Sequence, residues 1–476
     1  MAFFARDVHE PYADGMHALS NPPLSHATLR PEEWGPGRPA LGSDLQVDVA
    51  IVGAGYTGMW TAYYLLQRDP SLRVALLEAQ VVGFGASGRN GGWCSALLPM
   101  GLDAVAAQSS RSQAVRLQTV MHETVAEVGR VVQAEGIDCH FAHGGYLSLA
   151  RSDIQMQRER AHVQHLQSYG FTDDDYRTLS KEEALQRCAA SNVVGGAFTP
   201  HCAAIHPARL ARGLARTIER MGATIYEHTP VVEISPRTVR THLGTVQADV
   251  VVRATEAFTP SLAGLGREVA PVYSLMIATE PLPDEFWQAT GLGQRATFND
   301  GRHMIVYGQR TADNRFAFGG RGAWYHWGSA IKPSYDRNSR VHSLIHDTLR
   351  EMFPAIGDAA ITHRWGGPVG AARDWWCHAN FDRTSGLASA GGYVGDGVGT
   401  TNLSGRTLAD LITNTPSELA TLPWVGHRSR KWEPEPLRFL GINTMAYLPI
   451  GADRHEERHG TASKWREAIM NRLLGH

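Results

Sequence analysis

The sequence predicts an α/β fold, α+β overall, and three observations carry that prediction. First, a short apolar run at residues 47–52 leads into the glycine turn "GAGYTG", helical spacing at Met59, Ala62, Tyr63 and Leu66, and a second apolar run, "RVALLEA". That is strand, turn, helix and strand at the length of a βαβ unit. Second, similar material returns in "HPARLARGLARTIERMGATI" followed by "ADVVVRAT", and again in "GLASAGGYVGDGVGTTNLSGRTLADLI". Third, residues 273–318 shift to alternating β segments, "YSLMIATEPL", "HMIVYGQR" and "RFAFGGR", as expected of an antiparallel sheet. The expectation is a Rossmann-like nucleotide-binding domain assembled from discontinuous segments, with an inserted substrate domain built on an antiparallel sheet.

Taken in order, residues 1–43 are rich in Pro, Gly and His without a clear period and read as an irregular surface arm. The nucleotide-binding domain is assigned to residues 44–140, 190–265 and 361–415, the substrate domain to 141–189 and 266–360, and a C-terminal extension to 416–476. Residues 103–136 read as one long helix or two broken ones. In "HPARLARGLARTIERMG", His206 suits the cap, Pro207 the first turn and Gly222 the stop.

Composition narrows the function classes. With 476 residues the chain can hold about three average domains and a sizeable core. The formal net charge is −2, and no run of five or more like charges occurs, so neither a nucleic-acid tract nor a polybasic membrane patch is indicated. A small-molecule partner is expected, with the oligomeric state left open. Cys94, Cys139, Cys188, Cys202 and Cys377 form no CxxC pair, which argues against a disulfide framework or zinc site and for a reducing, cytoplasmic setting. His26, His201, His206 and His303 show no ligand spacing such as HExxH, so no metal is expected. "MAFFARDVHEPYADGM" lacks the apolar region of a signal peptide. The apolar stretch 47–66 is broken by an aspartate and three glycines, and reads as strand and helix, not a membrane span.

Gly53, Gly55 and Gly58 give GxGxxG between a strand and a helix, with Ala54, Tyr56 and Thr57 completing the turn. Such glycines permit a tight turn, close approach of a pyrophosphate and close helix packing, while the helix N-terminus offers N–H groups and partial positive charge. Glu78, followed by Ala79, lies 25 residues after Gly53, where an acid accepts from a ribose hydroxyl and repels a 2′-phosphate. NAD or the ADP half of FAD fits. The glycine-rich stretch "VVGFGASGRNGGW" favours FAD, whose longer body must be threaded past more backbone. There Ser87, Arg89 and Asn90 have the reach for phosphate or ribityl oxygens. Gly88 belongs to the same loop, and Gly91, Gly92 and Trp93 bring the main chain close to a planar ring.

These residues resemble flavin-dependent amine and amino-acid oxidoreductases of the D-amino-acid oxidase superfamily, in feel its γ-glutamylputrescine oxidase-like subgroup. The resemblance rests on "VDVAIVGAGYTG", Glu78, "VGFGASGRNGG", "FTPHCAAIHPARLARGLA", "VVVRATEAFTPSLAGL", "RFAFGGR", "RWGGPVG" and "GGYVGDGVGTTNLSGRTLADLI". It implies pyrophosphate binding at residues 53–58, adenosine ribose at Glu78 and a backbone contact to adenine at Val232. Ala254 and Thr255 match an ATG-type strand end in which Glu256 replaces the usual glycine. Gly397, Val398, Gly399 and Thr400 are implied to face the flavin pyrimidine from a helix N-terminus.

The implied reaction moves a hydride equivalent from the carbon beside an amine nitrogen to flavin N5, giving an imine that hydrolyses. Molecular oxygen or another acceptor then takes the electrons. Sarcosine-oxidase-like relatives place a lysine near N5. Here the matching position is about Ala317, and no lysine lies within ten residues of it. Arg321 is the expected partner of an acidic group on the substrate. Tyr146, Tyr307, His326 and Trp365 are expected to wall the pocket, where aromatic faces suit an ammonium group. Cys377 is read as a small buried residue rather than a flavin attachment point. Two alternatives stand beside this reading. One is a flavin monooxygenase, the other a non-catalytic FAD-holding subunit of a heteromeric dehydrogenase.

Overall fold

The computed structural model describes residues 22–35, 37–322 and 324–474; the side chains of Arg321 and of residues 471–474 lie outside that description. Its strands are β1 (Leu45–Val52), β2 (Val74–Leu77), β3 (Trp93–Ser95), β4 (Tyr146–Ala150), β5 (Arg177–Leu179), β6 (Gly195–Thr199), β7 (Cys202–Ala204), β8 (Thr224–Tyr226), β9 (Val231–Ser235), β10 (Thr238–Thr241), β11 (Thr245–Arg253), β12 (Ala270–Thr279), β13 (Thr297–Asp300), β14 (Val306–Arg310), β15 (Phe316–Arg321), β16 (Ile361–Ala371), β17 (His378–Asp382) and β18 (Leu387–Gly391).

One sheet runs in the order β17-β18-β11-β1-β2-β8, with β9 and β10 attached beside β11. From β18 to β8 the neighbours are parallel, and β17 closes the edge antiparallel to β18. Parallel strands need crossovers on both faces, so the centre of the sheet must be apolar on both sides. β1 meets that requirement, with Val49, Ala50, Ile51 and Val52 all buried. The helices Tyr56–Arg68 and Gly397–Thr413 pack on one face, where the hydrophobic cluster includes Trp60, Tyr63, Leu65, Leu403 and Leu408.

The second sheet runs β16-β12-β15-β14-β13-β4-β6-β5. It is antiparallel except between β4 and β13, which are parallel. Its own core holds Leu147, Leu275, Ile277, Phe298, Phe316 and Phe318. β6 and β16 pair in this sheet, although sequence order groups them with the nucleotide-binding segments. Apolar alternation identifies a strand but not its partner, since pairing is decided by long-range packing.

Local signals fare better. Helices Leu102–Gln108 and Arg111–Ala134 break at Ser110, whose hydroxyl caps the second by accepting from the Gln113 N–H at 3.2 Å. His206 Nδ1 accepts from the Arg209 N–H at 3.2 Å and caps Pro207–Arg220. The expected irregular arm is different where it is described: Leu24–Ala27 and Pro31–Trp34 are single helical turns, and Leu24, Ser25, His26 and Glu33 are buried. Residues 1–21 lie outside the described residues. No described helix is long and apolar enough to cross a membrane.

The two helices on the first sheet cross at Gly405, where a Cβ would stand 2.6 Å from the Trp60 carbonyl carbon. Backbone cannot yield as a side chain does. Gly405→Val is therefore expected to destabilise the protein by about 1–3 kcal/mol, read from the urea midpoint.

Candidate active site

The first glycine turn follows β1 directly. Gly53 has φ +106°, and a Cβ on it would stand 2.6 Å from the Ala254 carbonyl oxygen; one on Gly58 would stand 2.1 Å from the Gly53 carbonyl oxygen. Gly55 starts the Tyr56–Arg68 helix with no side chain to cap it. Ser87 supplies the cap from the second glycine-rich loop, accepting from the Tyr56 N–H at 2.8 Å. Thr57 Oγ1 lies 3.1 Å from the Tyr393 hydroxyl, and Tyr56 donates its hydroxyl proton to the Pro207 carbonyl at 2.8 Å.

Glu78 braces this turn. Its carboxylate accepts from the Ala54 N–H at 2.8 Å and the Gln80 N–H at 3.0 Å. Burial pushes its carboxyl up to about 6, against the stabilising pull of those two donors. Ala79 stands in the chain between Glu78 and the Gln80 N–H that Glu78 accepts from. Val232 sits on β9, just beyond Thr229, whose N–H donates to the Glu78 carbonyl at 2.8 Å.

The second loop is the seam between the sheets. A Cβ on Gly91 would stand 2.8 Å from the Tyr307 ring, and one on Gly92 only 1.9 Å from Gln309 Nε2. Both neighbours belong to β14. Gln309 Nε2 donates to the Gly91 carbonyl at 2.7 Å, and Trp365 Nε1 of β16 donates to the Arg89 carbonyl at 2.9 Å. Arg89 donates to the Phe84 carbonyl at 2.7 Å, pairs with Asp336 and stacks on the Phe84 ring. Asn90 uses its amide inside the loop, donating to the Ala86 and Ser87 carbonyls and accepting from the Gly92 N–H. Gly88 makes room for His26: a Cβ there would stand 2.4 Å from that ring. Thus Ser87, Arg89 and Asn90, read in the sequence as reaching toward phosphate or ribityl oxygens, have protein partners here.

Strand register gathers the expected substrate residues. Gly319 pairs with both Tyr307 and Met276, and Met276 with Trp365, so these positions share one face. Tyr146 joins through Thr297, and the backbone of Arg321 pairs with Ser274. Trp93 reaches over from the loop, its ring centroid 5.3 Å from Tyr146 and 5.8 Å from Tyr307. The Tyr307 hydroxyl is 2.7 Å from Ser274 Oγ. His326 departs from this set: it stacks on Tyr335 at 3.4 Å and meets the edge of Tyr273, and burial lowers its pKa. Among the described residues, Trp93 Nε1, Asn299 Oδ1 and Gln309 Oε1, all buried around the shared face, have no hydrogen-bond partner. Such atoms carry a desolvation cost unless a ligand meets them.

The far wall is the N-terminus of Gly397–Thr413, which has no side-chain cap. Gly399 brings it against β3, since a Cβ there would stand 2.5 Å from the Ser95 carbonyl oxygen. Gly397, Val398 and Thr400 complete that first turn, and its free N–H groups favour an electron-rich partner. Cys377 is fully buried with its sulfur 3.5 Å from Met100 Sδ, and burial raises its pKa. Ala317 lies between Gln309 and Ala278 on the shared face, with no lysine beside it in the sheet.

Glu256 is the residue whose role the sequence left least legible. At φ +39° it holds a conformation that glycine adopts freely, and its carboxylate accepts from the Gly392 N–H at 3.0 Å and the Tyr393 N–H at 3.3 Å. Gly370 and Gly391 make room, since Cβ atoms there would stand 3.1 and 2.8 Å from its oxygens. Glu256 therefore ties Ala254 and Thr255 to the loop that feeds the Gly397–Thr413 helix. Burial pushes its carboxyl from 4.5 up to about 7, opposed by those N–H donors and by Arg253. The folded chain thus holds the proton more tightly than the unfolded chain. The contribution of this group is greatest below pH 4.5 and is lost as pH rises to about 7. Relative to Glu256→Gln, the wild type is expected to lose up to about 3 kcal/mol across that window, measured by chemical denaturation at each pH.

A nucleotide-shaped cradle at one end and an aromatic face at the other fit an elongated cofactor: helix N-termini for pyrophosphate and ring, unpartnered polar atoms where the two sheets meet. The comparisons with known proteins agree. The chain is 30% identical over 382 residues to the γ-glutamylputrescine oxidoreductase of Escherichia coli, covering 78% of this chain and 85% of that protein. It is 27% identical over 392 residues to a probable oxidoreductase OrdL of Haemophilus influenzae, covering 80% of this chain and 86% of that protein. The fold matches the crystal structure of glycine oxidase from Geobacillus kaustophilus with a TM-score of 0.68 at 22% identity, covering 80% of this chain and 99% of that one. Residues 48–411 match the family described as DAO, FAD dependent oxidoreductase, and the chain belongs to that family of FAD-binding enzymes.

Proposed function

We propose that this protein oxidises the carbon–nitrogen bond of a small amine, N-alkyl amine or amino acid. The observation that carries the reading is the seam: Trp93, Tyr146 and Tyr307 present aromatic rings beside two buried, unpartnered carbonyl acceptors, Asn299 Oδ1 and Gln309 Oε1. Aromatic faces and hydrogen-bond acceptors together suit an ammonium group, a donor-only cation. The relatives named for γ-glutamylputrescine and glycine point to the same donor class.

Bound FAD supplies the acceptor for a hydride equivalent. The chain supplies the rest. The glycine turn at residues 53–58 and the Tyr56–Arg68 helix N-terminus would hold the pyrophosphate, with Glu78 toward the ribose. The N-terminus of Gly397–Thr413, which has no side-chain cap, would favour negative charge on the ring system. Tyr307, fixed through Ser274, orients the amine, and the packed rings exclude water from it. Trp365, held on Arg89, backs this wall, and His326 acts at most through Tyr273 and Tyr335. Arg321, whose backbone pairs with Ser274, is the residue proposed to meet a carboxylate-bearing substrate.

The test is anaerobic addition of amines, N-methyl amines, amino acids and aminophosphonates to the yellow holoprotein. Bleaching by one class, with carbonyl product formed, is expected. Retention of colour with every amine, or consumption of NADPH with hydroxylated product, overturns the reading. Admission of air then distinguishes acceptors, because recovery of colour with peroxide marks an oxidase. For the amine that bleaches, Tyr307→Ala is expected to raise KM by about tenfold or more. Arg321→Met is expected to raise KM for acidic amines while leaving neutral ones unchanged, read from steady-state kinetics on both.

A further inference from the structure

Away from the cleft, three side chains from distant segments converge: His122 on the Arg111–Ala134 helix, Asp175 in the turn after Thr172, and His201 just before β7. Their nearest nitrogen and oxygen atoms all lie within 4.8 Å of one another. Asp175 Oδ1 stands 3.0 Å from His201 Nε2 and 3.7 Å from His122 Nδ1. Ligand atoms on a tetrahedral zinc, each about 2.0–2.1 Å from the ion, stand about 3.4 Å apart, between those two distances.

The atoms behind these three are arranged as second partners of metal ligands are. His122 Nε2 is 2.6 Å from the Tyr176 hydroxyl, which also accepts from Gln118 Nε2 at 3.1 Å. Asp175 Oδ2 accepts from the Thr172 N–H at 3.1 Å, leaving Oδ1 turned to the imidazoles. His201 is fixed by its backbone, whose carbonyl accepts from the Ala96 N–H at 3.0 Å. Asp175 and His201 are 27% and 21% exposed at the side chain, leaving an open side for water.

We propose that His122, Asp175 and His201 bind one divalent transition-metal ion, zinc by the softness and number of its donors, with water as the fourth ligand. The rings lie parallel with centroids 3.6 Å apart, so binding the ion requires each to turn about its Cβ–Cγ bond until both lone pairs meet it. The ion ties the 172–176 turn and the two-stranded β3–β7 sheet to the long helix. Ser95 of that sheet meets Gly399, so the tie steadies one wall of the cleft without touching substrate. A sequence scan misses this site because the ligands come from three separate segments. A second cluster, His303, Asp453 and Glu456, has a different character. Asp453 accepts from the His303 and Met304 N–H groups, and the Arg158 guanidinium stands 2.5 Å from Glu456 and 3.0 Å from His303 Nε2, a fixed positive charge that opposes a cation.

The test uses the full-length, tag-free protein, stripped with a chelator, incubated with zinc chloride, desalted and assayed for metal. About one zinc per chain is expected to remain. The melting temperature should rise with free zinc. Asp175→Asn and His201→Gln are expected to lower retained zinc at least about tenfold while flavin content stays unchanged, and His303→Gln is expected to keep it. Should either variant lose its flavin, cobalt loading of the wild type decides: intense tetrahedral visible bands support the site, and weak octahedral bands or none overturn it. Retention of under about a tenth of a zinc per chain, or zinc lost on His303→Gln and kept by His201→Gln, also overturns it.

Discussion

At Gly91 and Gly92 the nucleotide-binding half of the molecule meets the second sheet so closely that no Cβ fits, because Tyr307 and Gln309 of β14 occupy the space. The remaining features of the cleft are arranged around this contact. Gln309 and Trp365 hold the loop by its carbonyl oxygens, and Arg89 reaches back to Asp336 and Gly366. A loop bound by both sheets cannot follow one without the other. On the function proposed above, the end of the cofactor that carries chemistry and the face that meets substrate would therefore be held in one register, as hydride transfer between two bound partners needs.

The first sheet also holds two buried carboxyls. Glu78 and Glu256 lie near the ends of β2 and β11, on either side of β1, and both are pushed up by burial while backbone N–H groups hold them. Each ties one chain segment to the turn of another. Glu78 fixes Ala54, and Glu256 fixes Gly392 and Tyr393. Buried carboxyls of this kind need well-placed donors, and the glycines at 370 and 391 let the Glu256 side chain reach them.

Much of this was legible in the sequence. The βαβ pattern, the turn at residues 53–58, the cap at His206 and the β segments of the second sheet are local signals, set by spacing and side-chain chemistry within a few residues. The bareness of the second loop was legible too, but the body expected against it was a flavin. That Tyr307 and Gln309 share the space was hidden, because they lie more than 200 residues away and only the folded register brings them there. Ser87 capping a helix begun 31 residues earlier, β6 and β16 joining the second sheet, and Ser25 and His26 packing on Gly88 share that long-range origin. Glu256 was visible as a departure from a familiar strand end, but its role depends on two glycines that stand more than 100 residues further along.

The most direct measurement is a crystal structure of the FAD-bound protein with a competitive amine inhibitor. The ring system should lie between the Gly91–Gly92 loop and the start of Gly397–Thr413, with the inhibitor's nitrogen against Tyr307 and the Gln309 and Asn299 carbonyls. An inhibitor bound away from that face, or a cofactor whose ring system does not reach the junction of the two sheets, would contradict it.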